Sequence, residues 1–77
     1  MNVSQALRIP VYELGCGGGG AATVERELAR ASGVLRVYVN PATETAYVDY
    51  DPAQTDPVRL ARVVEEAGYR PGRPIEA

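Results

Sequence analysis

Val34-Leu35-Arg36-Val37-Tyr38-Val39-Asn40, the turn Pro41-Ala42-Thr43-Glu44, and Thr45-Ala46-Tyr47-Val48-Asp49-Tyr50-Asp51 form the stretch that decides the fold. On both sides of the turn the side chains alternate in character. Leu35, Val37 and Val39 oppose Val34, Arg36 and Tyr38, and Ala46, Val48 and Tyr50 oppose Thr45, Tyr47 and Asp49. A period of two is the signature of a half-buried strand. Two such runs joined by a short proline-containing turn predict an antiparallel hairpin.

Outward from the hairpin, each flank predicts a helix. Upstream, residues 21–32 place Val24, Leu28 and Ala31 at i, i+4 and i+7, which makes one apolar stripe. Glu25, Arg26, Glu27 and Arg30 are expected mostly on the solvent side, and Gly33 is a natural stop. Downstream, Asp56-Pro57 reads as a capping acid followed by proline at the first helical position. Leu60, Val63, Val64 and Ala67 form the second stripe, and Gly68 ends it. Further out, Ile9, Val11 and Leu14 place a first strand. Pro10 cannot donate to a ladder, so the strand is expected to begin after it or to bulge there. The tail, with Pro71 and Pro74, is expected to add only a short edge strand. The order βαββαβ predicts an α+β, ferredoxin-like sandwich: a four-stranded antiparallel sheet with two helices on one face. Residues 1–77 read as one domain, with residues 1–6 a loose start and 71–77 a loose tail.

Composition narrows the function. The chain has 77 residues, 45% of them hydrophobic, and a net charge of -2. It lacks histidine, tryptophan and phenylalanine and has one cysteine. Ser-His-Asp and Cys-His catalysis, a tetrahedral zinc site and an internal disulfide are therefore excluded, and an enzyme is not expected. A pI near 5.0 disfavours phosphate-held nucleic acid. The five tyrosines are expected to pack the sheet and helices with their hydroxyls at the rim, and Glu44, Asp49, Asp51, Glu65 and Glu66 to be solvated. No apolar run approaches the roughly 20 residues of a membrane span, so membrane insertion is not expected. Nor does the start resemble a signal peptide. The expected location is cytoplasmic, where a lone thiol stays reduced.

The chemistry concentrates in Gly15-Cys16-Gly17-Gly18-Gly19-Gly20, between the first strand and the first helix. A thiol beside a helix N-terminus meets partial positive charge and ionises more readily. A phosphate cradle would need Gly-Lys-Ser/Thr next, but Ala21-Ala22 follows. A redox thiol would need a resolving partner that the chain lacks.

With these residues in view, the chain resembles the heavy-metal-associated domain family, which comprises small copper chaperones and the N-terminal modules of metal-pumping ATPases. The resemblance covers roughly Ile9 to Arg70. It rests on Ala21-Ala22-Thr23-Val24-Glu25, Ser32-Gly33-Val34, Val37-Tyr38-Val39-Asn40, Ala46-Tyr47-Val48-Asp49-Tyr50-Asp51-Pro52 and Glu65-Glu66-Ala67-Gly68-Tyr69. The family carries Gly-Met-Thr-Cys-x-x-Cys at its site. Counted back from the helix, the two cysteines fall at Gly17 and Gly20. Counted forward from the strand, Leu14 takes the methionine's place and Cys16 that of the first cysteine. The mismatch of one implies an extra glycine, a retained first ligand and a lost second one.

The resemblance thus implies that Cys16 binds Cu(I) or another soft metal ion, with Leu14, Gly17, Gly18, Gly19, Gly20 and Tyr69 shaping the site. Tyr69 stands where bacterial copper members carry a tyrosine, which favours copper over zinc. A second sulfur would come from another copy, in a homodimer joined through Cys16, or from a small thiol such as glutathione. The implied partner is a metal-transporting ATPase or another metal-handling protein. The alternative is a metal-independent interaction or regulatory module that keeps the fold without the site.

Overall fold

A computed structural model of the chain describes residues 4–14 and 19–76. Its elements are β1 (Gln5–Tyr12), α1 (Gly20–Ala29), β2 (Val34–Asn40), β3 (Thr45–Tyr50), α2 (Pro57–Glu66), β4 (Arg70–Pro71) and β5 (Ile75–Glu76). The sheet runs β2-β3-β1-β4, with β5 also paired to β1, and every pairing is antiparallel. Val24 and Leu28 of α1 and Leu60 and Val64 of α2 share one buried cluster with Leu7, Ile9 and Val11 of β1, Val39 of β2, and Ala46, Val48 and Tyr50 of β3. Both helices therefore cover the same face of the sheet. The predicted fold is the observed one.

The hairpin forms where the alternation places it, with one irregularity. Val34 pairs with Tyr50 and Arg36 with Asp49, so Leu35 has no opposite number. This bulge changes the parity of the strand. Val34 therefore packs on the core together with Val37, while Leu35 is exposed. An unbroken alternation groups Leu35 with Val37 and Val39, and Val34 with Arg36 and Tyr38.

Pro10 neither starts β1 nor bulges it. It sits within the strand, opposite Thr45. The reason is directional. Val11 N–H donates across to the Glu44 carbonyl at 2.8 Å, so its neighbour Pro10 faces the other way, toward the tail. There β1 is paired by β4 at Val11 and Tyr12 and by β5 at Leu7 and Arg8, with a gap between them. The Pro10 carbonyl accepts from Gly72 N–H at 2.7 Å, and its missing N–H is not needed. The tail accordingly forms two two-residue strands rather than one, and Ile75 and Glu76 are held on the sheet. Gln5 and Ala6, expected to be loose, belong to β1 and pair with Tyr50 and Asp49.

Helix ends follow the local chemistry. Asp56 accepts a hydrogen bond from Arg59 N–H at 2.9 Å and Pro57 occupies the first helical position. Replacing Asp56 by alanine is expected to cost about 1 kcal/mol, the usual value for losing such a cap, measured by urea unfolding. Helix α1 begins and ends a little earlier than the periodicity predicts, at Gly20 and Ala29, and Ala31 packs on the core from the turn that follows. Gly33 and Gly68 both adopt positive φ, +86° and +99°, a conformation glycine takes without steric cost.

Glu25 departs from its expected solvent role. Its side chain accepts a hydrogen bond from Val39 N–H at 3.1 Å. Three of the five tyrosines also depart from theirs: Tyr12, Tyr38 and Tyr47 are exposed on the face away from the helices, and Tyr38 and Tyr47 stack with ring centroids 6.2 Å apart.

Tyr50 is buried, and its hydroxyl donates to Glu76 at 2.8 Å, fastening β5 to the core. Desolvation, followed by the bond and charge of Glu76, pushes the Tyr50 pKa up to about 12 from its usual 10.0. The folded chain therefore keeps this proton in a window where the unfolded chain loses it. The resulting stabilisation is complete below pH 10 and is lost as the pH rises toward 12. Unfolding midpoints measured across that window should fall in the native protein and fall less in Tyr50→Phe.

Candidate functional site

Three segments meet at one end of the sheet. The first is the end of β1. Glu13 takes a left-handed turn at φ 63°, and Leu14 then returns to the core with 4% of its surface exposed. The second is the start of α1. Gly19 is the N-cap, at φ -79°, and its carbonyl accepts from Thr23 N–H at 2.8 Å. The third is the link from α2 to β4, where Tyr69 follows Gly68, donates its N–H to the Val64 carbonyl at 3.2 Å, and leans on the core.

Gly20 lies between the other two segments. A Cβ placed there would be 2.7 Å from the Leu14 carbonyl oxygen and 2.8 Å from the Tyr69 hydroxyl. Leu14, Gly20 and Tyr69 are thus brought together. Gly19, one residue earlier, is exposed, and among the described residues nothing lies within 4 Å of its Cβ position. Cys16, Gly17 and Gly18, named from the sequence, lie outside the described residues.

The electrostatics at this end are simple. Among the described residues no side chain caps the N-terminus of α1, and no acid lies in its first turn. A helix N-terminus carries partial positive charge, which favours an anion. Among the described residues no group of three or more His, Cys, Asp or Glu could hold a metal ion. Among the described residues, no helix is long and apolar enough to cross a membrane.

A family model for the heavy-metal-associated domain matches residues 13–70, which include this end of the molecule, both helices and the hairpin. The chain belongs to the heavy-metal-associated domain family. A copper-exporting P-type ATPase of Bacillus subtilis is 45% identical over 49 residues, covering 64% of this chain and 6% of that protein. The chain thus spans a small part of that relative's length. Oxidized MerP from Ralstonia metallidurans CH34 shares the structure with a TM-score of 0.85 at 27% identity, over 91% of this chain and 96% of that one. The N-terminal domain of a potential copper-translocating P-type ATPase from Bacillus subtilis, solved in its Cu(I)-loaded state, gives a TM-score of 0.82 at 25% identity, over 92% of this chain and 88% of that one. As a heavy-metal-associated domain, the chain is related to copper-binding domains of P-type ATPases.

Within this member of the family, the packing of Tyr69 against Gly20 escaped the sequence reading. Tyr69 was singled out by resemblance, but nothing local to either residue indicates the approach. The four-glycine run was the available signal, since a glycine is required wherever another group occupies the Cβ position.

Proposed function

We propose that this heavy-metal-associated domain binds Cu(I), or another soft metal ion, and hands it on to a metal-transporting ATPase or another metal-handling protein, acting as a carrier rather than an enzyme. Cys16 is its own ligand. The second sulfur comes from the Cys16 of another copy or from a small thiol, since Cu(I) favours soft thiolate donors. Leu14 supports the loop from below, Gly17 to Gly20 form it, and Tyr69 closes its side. The proposed setting is the cytoplasm, where thiols stay reduced.

The observation that carries this reading is the likeness, across nearly the whole chain, to a domain solved with Cu(I) bound, together with a cysteine four residues before the start of α1 in the sequence. The test is competition against a strong Cu(I) chelator under anaerobic, reducing conditions, with protein mass measured alongside. Uptake of one ion per two chains supports the bridged pair. Uptake of one ion per chain only when glutathione is added supports the mixed site. Absence of uptake in both arms overturns the reading.

A second reading is favoured by Gly20, which stands at the position where the family resemblance places the other cysteine. On that reading the chain is a metal-independent interaction or regulatory module, and the same competition experiment separates the two.

A further inference from the structure

We propose that the sheet face turned away from the helices is a docking surface for an acidic segment of a partner protein. The segment seats an aromatic or aliphatic side chain on the Tyr38–Tyr47 pair and carboxylates on Arg8 and Arg36. Strand register builds this surface. Tyr38, Tyr47 and Arg8 follow one another across β2, β3 and β1, with Ile75 of β5 beside Arg8. Their strand neighbours Val37, Val48 and Leu7 pack on the core, so the period of two sends this row to the opposite face. Tyr38 is 56% exposed, Tyr47 38% and Ile75 47%. Leu35, released from the core by the bulge, adds another apolar side chain, 58% exposed, next to Arg36.

Single exposed apolar side chains need no explanation, but a contiguous group of them marks an interaction site. Stacking of Tyr38 on Tyr47 supports the hairpin, yet it does not account for the groups around the pair. Tyr12, on the same face, has a packing role already. A Cβ at Gly72 would lie 2.9 Å from the Tyr12 hydroxyl and 2.9 Å from the Pro10 Cβ, so Tyr12 covers the tail turn. Tyrosine and arginine are the side chains that anchor protein partners, and charge selects the partner. Among strand residues on this face, Arg8, Arg36 and Arg70 stand against one acid, Asp49. The chain as a whole has a net charge of -2, so its other nine acids lie elsewhere. Neither Arg8 nor Arg36 forms a salt bridge with another described residue.

The other occupants fit this face less well. A second copy related by a two-fold axis would lay the face on itself, arginines against arginines. A nucleic-acid strand is held by neutralising several phosphates at once, and a chain of net charge -2 repels it. An acidic protein segment uses every group present. Its carboxylates accept forked hydrogen bonds from the guanidinium groups, and its apolar anchor removes water from the tyrosine rings. Arg8 stands one strand beyond Tyr47, and Arg36 two residues before Tyr38. The segment therefore needs acids on both sides of its anchor. The surface stands whether or not the metal-binding reading holds.

The experiment offers the full chain a displayed library of short random peptides, with the double variant Arg8→Glu, Arg36→Glu as the counter-selecting protein. Enriched peptides are then measured by fluorescence anisotropy at physiological salt. The peptides expected to emerge place an aromatic residue or leucine between aspartates or glutamates. Their affinity should fall at least about tenfold in the double variant and in Tyr38→Ala, the loss expected of an interface anchor, with circular dichroism confirming each fold. Versions with lysine in place of the acids should bind the double variant better than the native protein, an exchange that loss of folding cannot produce. Failure to enrich any peptide, enrichment of peptides without acids, or equal affinity for native and double-variant protein overturns the proposal. So does tighter binding of oligothymidine or of phosphatidylserine vesicles than of every peptide, and so does self-association in sedimentation that Tyr38→Ala abolishes.

Discussion

Cys16→Ala should lose its hold on Cu(I) by more than about 100-fold. Residues that merely orient a metal ligand already cost 10- to 100-fold when removed, and a direct ligand costs more. The chain has no second thiol to compensate; its one other sulfur is the thioether of Met1. Cys16→Ser is the stricter control, because it keeps the size of the side chain and exchanges a soft donor for a hard one. The measurement is chelator competition on native, Cys16→Ala and Cys16→Ser proteins, with circular dichroism confirming that each variant is folded. Uptake should also weaken in acid, since the ligand is the thiolate and protons compete with the metal for it. Retention of native affinity by either variant would remove Cys16 from the site.

Leu28→Ala should lower the thermal midpoint by at least about 10 °C. Leu28 is fully buried beside Val24 at the centre of the helix–sheet contact. Truncating such a leucine costs roughly 2–5 kcal/mol through lost transfer energy and the cavity left behind. In a domain of this size each 1 kcal/mol moves the midpoint by about 4–8 °C. The whole stability of a small domain is only of order 5–15 kcal/mol, so this one side chain carries a large share. The exposed Leu35, on the bulge of β2, provides the contrast. Leu35→Ala should shift the midpoint by a few degrees at most. Calorimetry on the two variants measures the difference, and similar shifts would place the core elsewhere.

The parts of this fold that were legible in the sequence are those set by local periodicity and local caps. The hairpin follows from alternation at Val37, Val39, Ala46 and Val48. The second helix follows from Asp56, Pro57 and the Leu60–Val64 stripe, whose polar and apolar groups are all satisfied within a few residues. The misreadings share a different cause. The effect of Pro10 on its strand depends on which neighbour its nitrogen faces, and that neighbour is the interrupted tail, at the far end of the chain. Leu35 was grouped with Val37 and Val39 because alternation assumes an unbroken register, and a bulge leaves no strong local mark. At the candidate site, Leu14 and Cys16 could be marked from strand register and residue type. The approach of the Tyr69 hydroxyl to Gly20 could not, because it is created by tertiary packing between two distant turns.

The bond from Val39 N–H to Glu25 has a consequence for how these molecules coexist at high concentration. β2 is the outermost strand on its side of the sheet, and an unoccupied amide on such a margin is a template on which another polypeptide can lengthen the sheet. A carboxylate lent by the overlying helix occupies that amide and brings negative charge to the seam. Lateral growth into fibrils is thereby discouraged near the C-terminal end of this margin.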